Sequence, residues 1–552
     1  MNPQSPIPPN LMGIMIKKSG LQWIILFLIT FALTQCKKQD RFVDKPNSEK
    51  DQVLSTLDSI YFYAKQIYLW NDQLPEHIQF NPRKFYTTQS KEEMDIYKRE
   101  LFELSQYALN PVSGRPYEYN EQNLSLPKYS TLLQLSSKDN NSAKQSTISV
   151  DANNKFGLSF VAVGEDDLRL LYVDKNSPAG MAGLVRSDKI VRINNATVQT
   201  NNTFTNFLSD ALKNPFVDIE FQNFTDGRSA IQKVRLTGRP YEPNPVLAYR
   251  KLNINSREVG YIAYLNFTEE NNTRKYLEPI LYSFANADIK DLIIDLRYNG
   301  GGFQNTCKYI ANQIAPANAR GKVMFSEHYN KLMQQRGATI LTQQPLEDEF
   351  EYPFYLDGRI ATLFDIDYSV ENNTSYFASD GLLNGLQTIY FIVSNRTASS
   401  SELLINSLKP YINVVLIGVS DRPNQPVKTY GKPVGFIDLH INRFALFLPM
   451  YQTKNAIQYG DFFDGLPSDY SVLDDPTIAF GDVQDPTIIT MMKHAGLTAN
   501  TILLPNKMMQ RNQGLAKKKD FTLKYFYNSI YPIGSMIKTK REIKIKSKPS
   551  NY

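Results

Sequence analysis

Residues 387–411 read QTIYFIVSNRTASSSELLINSLKPY, and the fold turns on how that stretch divides. Ile389 to Val393 is apolar, β-branched and aromatic, the pattern of a strand buried on both faces. The run stops at SNRTASSSE, and an apolar pattern of helical spacing follows. A strand that feeds directly into a helix is the repeating joint of an α/β sheet. Ser, Thr and Asn cap helices, so some of the polar residues at this joint need no chemistry. Capping does not require three adjacent serines, and Ser399, Ser400 and Ser401 become candidate nucleophiles.

The same alternation runs outward on both sides. EVGYIAYLNF, KDLIIDLRYNGGG and NVVLIGVS are strand-like, with helical stretches between them, and they predict a buried, helix-flanked sheet over residues 245–490. DLIIDL ends in RYNGGGF, where consecutive glycines either let backbone N–H groups approach an anion or make a tight turn. A serine nucleophile needs a base, and His440 is the first histidine in reach of this region. Lysine is the other option, provided burial keeps it neutral. TYGKPVG offers Lys432, with no carboxylate in the segment to pin its charge, either as such a base or as an ordinary surface cation.

Before the core, FGLSF and SPAGMAGLVRSDKIVRINN fall among short strands around a helix opened by Ser177 and Pro178. This stretch resembles a PDZ domain. The resemblance implies that Phe156, Gly157, Leu158 and Ser159 form a loop whose amides hold a peptide's terminal carboxylate, unless the domain only packs and gates. Taken in order, DLRYNGGG, TASSSELL and GKPVG then resemble the carboxy-terminal processing, or tail-specific, serine proteases, whose corresponding elements are DLRxNPGG, TASASE and GK. FFDGLPSDYSVLDDP and AFGDVQDP resemble the end of the same protease domain.

The resemblance implies an α/β core of crotonase or Clp-like type and a Ser-Lys dyad. It maps the nucleophile to Ser399, three residues before Glu402, and the base to Lys432 rather than the nearby Lys428. It implies oxyanion donors at Ser400 and at Gly301, with Gly302 beside it, and substrates that are proteins or peptides with accessible C-termini. NGGG departs from NPGG, Ser400 stands where the family has alanine, and Phe436 stands where many members have a glutamine that orients the lysine. Phe436 and Ser400 support a rival reading, an inactive scaffold that binds C-termini. A second rival, other acyl chemistry on the same core, is opposed by TASSSE, GKPVG and the PDZ-like segment.

The rest of the chain frames this core. At 552 residues, with 42% hydrophobic and 21% charged residues, it exceeds one core and reads as roughly two to four globular domains. MIKKSGLQWIILFLITFALTQC has a basic start, an apolar stretch from Leu21 to Leu33, and then Cys36. That is a signal peptide over residues 1–36 rather than a membrane span. LTQC resembles the lipobox of bacterial lipoproteins, with Gln35 in place of the usual small residue. It implies lipidation at Cys36 and a lipid-anchored place in the bacterial envelope, periplasmic or surface-facing; the alternative is an ordinary secretory signal.

Helical spacing places a small helical domain at 45–125, opened by Ser48 and Asp51 at capping-box spacing and with a second helix starting at Ser90. The PDZ-like domain is expected at 150–240 and a C-terminal extension at 491–552. Helical spacing around Cys307 makes it a buried thiol. With four scattered histidines (His77, His328, His440, His494) and two cysteines, no metal or cofactor is expected. The net charge of +6 is small, and its basic excess gathers in the tail, which is solvated or touches anionic lipid. No basic face inside a domain points to nucleic acid.

Overall fold

The computed structural model describes residues 48–87, 92–135, 154–164, 166–223, 230–347, 352–378, 381–497, 523–526 and 536–538. The expected signal peptide with Cys36, Ser90, residues 136–153 and most of the expected C-terminal extension lie outside the described residues. Among the described residues, no helix is long and apolar enough to cross a membrane.

Helix α1 spans Glu49–Ile67, and the Ser48 hydroxyl caps it by accepting the Asp51 N–H at 3.2 Å. Its apolar stripe, Val53, Leu57, Ile60, Ala64 and Ile67, is buried as the spacing predicts. Helix α2 (Glu93–Ser105) buries Tyr97, Leu101 and Leu104. Leu57, Ile60, Tyr97 and Leu101 share one apolar cluster with Leu292, Phe391 and Leu403, so this helical part has no separate core. Strand β1 (Thr131–Gln134) follows.

A β-rich unit comes next. It contains β2 (Leu158–Ala162), β3 (Leu168–Val173), the single helical turn Pro178–Met181, β4 (Lys189–Ile193), α3 (Asn202–Lys213), β5 (Phe216–Gln222) and β6 (Ile231–Thr237). Ser177 starts the helical turn by accepting the Gly180 N–H at 3.1 Å. The unit has its own apolar cluster, in which Phe156, Leu158, Phe160 and Ile190 meet Phe204 and Leu208 of α3.

The core follows as β7 (Val246–Ile254), β8 (Arg257–Tyr264), α4 (Glu270–Asn286), β9 (Asp291–Asp295), α5 (Gln304–Ile314), β10 (Val323–Tyr329), β11 (Thr374–Tyr376), β12 (Thr388–Val393), α6 (Ser400–Leu408) and β13 (Asn413–Ser420). It continues through β14 (Val434–Ile437), β15 (Leu439–Ile441), β16 (Phe444–Phe447), β17 (Tyr451–Lys454), β18 (Tyr470–Leu473) and α7 (Pro486–His494). Two three-residue strands close the described chain, β19 (Lys524–Phe526) and β20 (Met536–Lys538).

The central sheet has the order β18-β13-β12-β9-β8-β7. Its first five strands are mutually parallel, and β7 adds antiparallel at one edge. Parallel strands need crossovers, and α4, α5 and α6 supply them. β9 and β12 are adjacent, so the turns that follow them open side by side at the same end of the sheet. That is where an α/β sheet presents unpaired backbone groups. A second sheet, β11-β10-β17-β14-β20, carries the segment after Lys432, and β1 joins β16 and β15 in a third.

Candidate active site

Ser399 is the N-cap of α6 and stands at φ 61°, ψ −115°. A side-chain-bearing residue pays of order 1–3 kcal/mol for such a backbone, which persists only where the surroundings fix it. Here they do. The Ser399 N–H donates to Glu402 Oε2 at 2.9 Å, its carbonyl accepts the Leu403 N–H at 2.8 Å, and the Ala398 N–H donates to the Asn299 carbonyl at 3.2 Å.

The three serines separate by their hydroxyls. Ser400 Oγ donates to the Gly302 carbonyl at 2.7 Å, and Ser401 Oγ to the Asn299 carbonyl at 3.2 Å. Both staple the serine turn to the glycine turn. Ser399 and Glu402 stand in capping-box relation, yet Ser399 Oγ, fully buried, has no full hydrogen-bond partner.

The glycine turn lies against Ser399. Gly301 and Gly302 have φ of 112° and 139°. A Cβ on Gly301 would fall 2.8 Å from Ser399 Cβ and 3.0 Å from the Ser400 nitrogen, so only glycine allows this approach. The sequence reading placed the second amide donor at Gly301, with Gly302 beside it, and the structure moves it to Gly302. The Gly301 N–H already donates to Asn299 Oδ1 at 2.8 Å. The amides of Gly302 and Ser400 donate to no acceptor among the described residues.

Lys432 enters from the segment between β13 and β14. It is 1% exposed, whereas Lys428 is exposed. Burial pushes the Lys432 ammonium down to about 7, against the upward pull of Glu118 and Glu402. Its Nζ lies 4.8 Å from the centre of the Phe436 ring, so Phe436 supplies an aromatic face where a glutamine would supply a hydrogen bond.

Glu402 ties the two loops together. Oε2 accepts the N–H groups of both Ser399 (2.9 Å) and Lys432 (2.8 Å). Oε1 accepts the Gly431 N–H at 2.8 Å and the Thr429 hydroxyl. Burial pushes this carboxyl up, and the four donors pull it back. The Tyr430 N–H also donates to the Thr397 carbonyl at 2.9 Å. Ser399 and Lys432 are thus joined through one oxygen atom of Glu402, while their side chains are not hydrogen-bonded to each other.

Several residues around this site carried no signal that sequence reasoning used. Glu118 is fully buried and accepts Tyr68 Oη at 2.9 Å and the Tyr129 and Ser130 N–H groups at 3.0 and 2.6 Å. Tyr129 Oη donates to the Gly431 carbonyl at 2.6 Å, which holds the lysine loop from the residues that precede β1. Below the glycine turn, Arg297 is 1% exposed and meets Asp295, Asp474 and Asp485 at 2.7, 3.0 and 2.9 Å. Arg297 lies inside DLRYNGGG, and the two distant aspartates lie in SVLDDP and DVQDP. The signal was present as motif, without the pairing.

The loop at Phe156–Ser159 lies in the β-rich unit. Phe156, Leu158 and Ser159 are buried. The amides of Gly157 and Leu158 both donate to Asn154 Oδ1, at 2.8 and 3.0 Å, so an internal side chain takes the position expected of a peptide carboxylate. Cys307 is buried, and burial pushes its thiol up. No cluster of metal-ligating side chains occurs among the described residues.

Residues 258–427 match the model of peptidase family S41. A stretch of 201 residues is 28% identical to the carboxy-terminal processing protease CtpB of Bacillus subtilis (strain 168), covering 34% of this chain and 40% of that protein. The chain therefore spans less than half the length of this relative. The fold resembles a crystal structure from Bacteroides fragilis NCTC 9343 described as an S41 protease, with a TM-score of 0.52, 19% identity, and coverage of 80% of this chain and 97% of that one. The glycine turn, the serine turn and Glu402 all lie inside the residues, 258–427, that match peptidase family S41.

Proposed function

We propose that this protein is a serine endopeptidase of the carboxy-terminal processing type that works through a Ser399–Lys432 dyad. The observation that carries the reading is the shared carboxylate. Glu402 holds the backbone of a strained serine with an unengaged hydroxyl and the backbone of a buried lysine depressed to about 7.

In this reading neutral Lys432 takes the Ser399 hydroxyl proton as Oγ attacks the scissile carbonyl carbon. The resulting oxyanion is held by the Ser400 and Gly302 amides, donors that are worth roughly two to three powers of ten in rate. Lys432 returns the proton to the leaving amine as the C–N bond breaks, which leaves an acyl-enzyme. Lys432 then takes a proton from water, hydroxide attacks the ester, and the proton passes to Ser399 as it leaves. The Ser399–Lys432 hydrogen bond forms as substrate closes the site, as catalytic contacts commonly do. Glu402 positions both partners and touches no substrate.

Substrates are proteins or peptides with accessible C-termini, presented by the PDZ-like unit at 150–240, with the core at 245–490 and lipid anchoring at Cys36 in a bacterial envelope. The alternative is an inactive scaffold that binds C-termini. Labelling with a fluorophosphonate separates the two: a labelled Ser399, absent in Ser399→Ala, supports the enzyme, and an unlabelled folded chain supports the scaffold.

A further inference from the structure

Two short strands from the end of the chain pair with the edges of two sheets. β20 pairs in parallel with β14, Gly435 opposite Met536 and Ile437 opposite Lys538, and so covers what is otherwise the outer edge of its sheet. β14 begins directly after Lys432 and Pro433. Met536 is fully buried, and Gln304 Nε2 reaches its sulfur at 3.6 Å. Gln304 opens α5, two residues past Gly302. Lys538 pairs with Glu327 of β10 and lies over the Tyr451 ring.

The second strand is placed independently. β19 pairs antiparallel with β2, Phe160 opposite Phe526 and Ala162 opposite Lys524. β2 begins at Leu158, within the Phe156–Ser159 stretch, and strand addition at such an edge is how an extended peptide docks. The Tyr525 ring lies 3.8 Å from the Arg396 guanidinium carbon, three residues before Ser399.

We infer that β19 and β20 are built-in occupants of the peptide-docking edges, and that an extended substrate takes the place of β20 along β14. Resting on the peptidase reading above, this names its substrate class: a chain with a large apolar side chain where Met536 sits and a basic residue two positions on, where Lys538 meets Glu327. Each strand is only three residues long. The burial of one methionine is of the same order as the entropy lost in ordering three residues, so the occupant exchanges with substrate rather than sealing the edge. A competing intramolecular occupant raises the apparent KM and leaves kcat alone.

The test uses the full chain with Met536→Asp, Lys538→Glu and, as the conservative variant, Lys538→Arg. Two readouts are taken: hydrolysis of labelled casein, and binding of a fluorescent GSMIKTK peptide, the sequence of residues 534–540. Met536→Asp and Lys538→Glu are expected to lower KM for casein and tighten peptide binding about tenfold, with kcat little changed and Lys538→Arg like wild type. Unchanged peptide affinity in both variants, with melting as in wild type, overturns the inference whether or not casein is cut. Peptide affinity that rises in a chain showing no Ser399-dependent hydrolysis upholds the docking edge and rejects the peptidase reading instead.

Discussion

At the scale of single residues, Ser399 differs from its neighbours in two ways. Its backbone is held at a positive φ, and its hydroxyl is the one of three that is not spent on stapling turns together. Ser399→Ala is expected to remove essentially all hydrolysis of an unfolded protein. Ser400→Ala and Ser401→Ala each lose one hydrogen bond, about 0.5–1.5 kcal/mol, and should keep most of the activity while melting about one degree lower. Calorimetry beside a casein assay separates these outcomes; loss of activity in Ser400→Ala or Ser401→Ala, with Ser399→Ala intact, would move the nucleophile. Lys432 sets the pH dependence. Its neutral form is the base, and burial brings its pKa down to about 7. The value of kcat/KM should therefore fall as pH drops through about 7 and hold its plateau above 8. A profile flat from pH 5 to 9 would speak against a titrating lysine base.

At the scale of elements, the site is a meeting of two turns at the ends of β9 and β12. A Cβ on Gly302 would fall 2.2 Å from the Phe267 carbonyl oxygen, a backbone atom that cannot swing away. Gly302→Ala should destabilise the chain by at least about 2 kcal/mol in urea unfolding and abolish activity, since the turn must move. Glu402→Gln presents an amide group to donors that all need acceptors. It should lower kcat by two or more powers of ten, with loss of stability, because unsatisfied buried donors cost about 1–3 kcal/mol each. This part of the site was legible because strand, loop and helix are contiguous in 388–408, and strand period, cap residues and Glu402 fall within one short window. The shift of the free amide from Gly301 to Gly302 was not legible. It depends on a hydrogen bond from the first glycine to the Asn299 side chain, and spacing does not encode where a side-chain oxygen points.

At the scale of the whole molecule, residues distant in sequence hold those turns in place. Arg297 joins β9 to the segments around Asp474 and Asp485, all nearly fully buried. Arg297→Ala would leave Asp295 and Asp485 without their cation, while Asp474 keeps Arg186 at 3.3 Å, and should cost roughly 3–5 kcal/mol, read as a lower urea midpoint. Glu118 and Tyr129 do the same for the lysine loop from some 300 residues away, and no local pattern announces such a pairing. The short strands β19 and β20 escaped the sequence for a related reason. Three residues on an edge carry no periodicity, and their identity as strands comes only from the partners they meet. The helical stripe of α1, by contrast, was readable from spacing, although it joins the main core instead of forming its own.

The most direct test of the dyad is casein hydrolysis by the folded soluble chain beside Ser399→Ala and Lys432→Ala, with circular dichroism to verify folding. The account predicts that wild type cleaves and that both variants, still folded, retain less than about a thousandth of its rate. A folded wild type that leaves casein intact, or a Lys432→Ala variant that cleaves nearly as well as wild type, would contradict it.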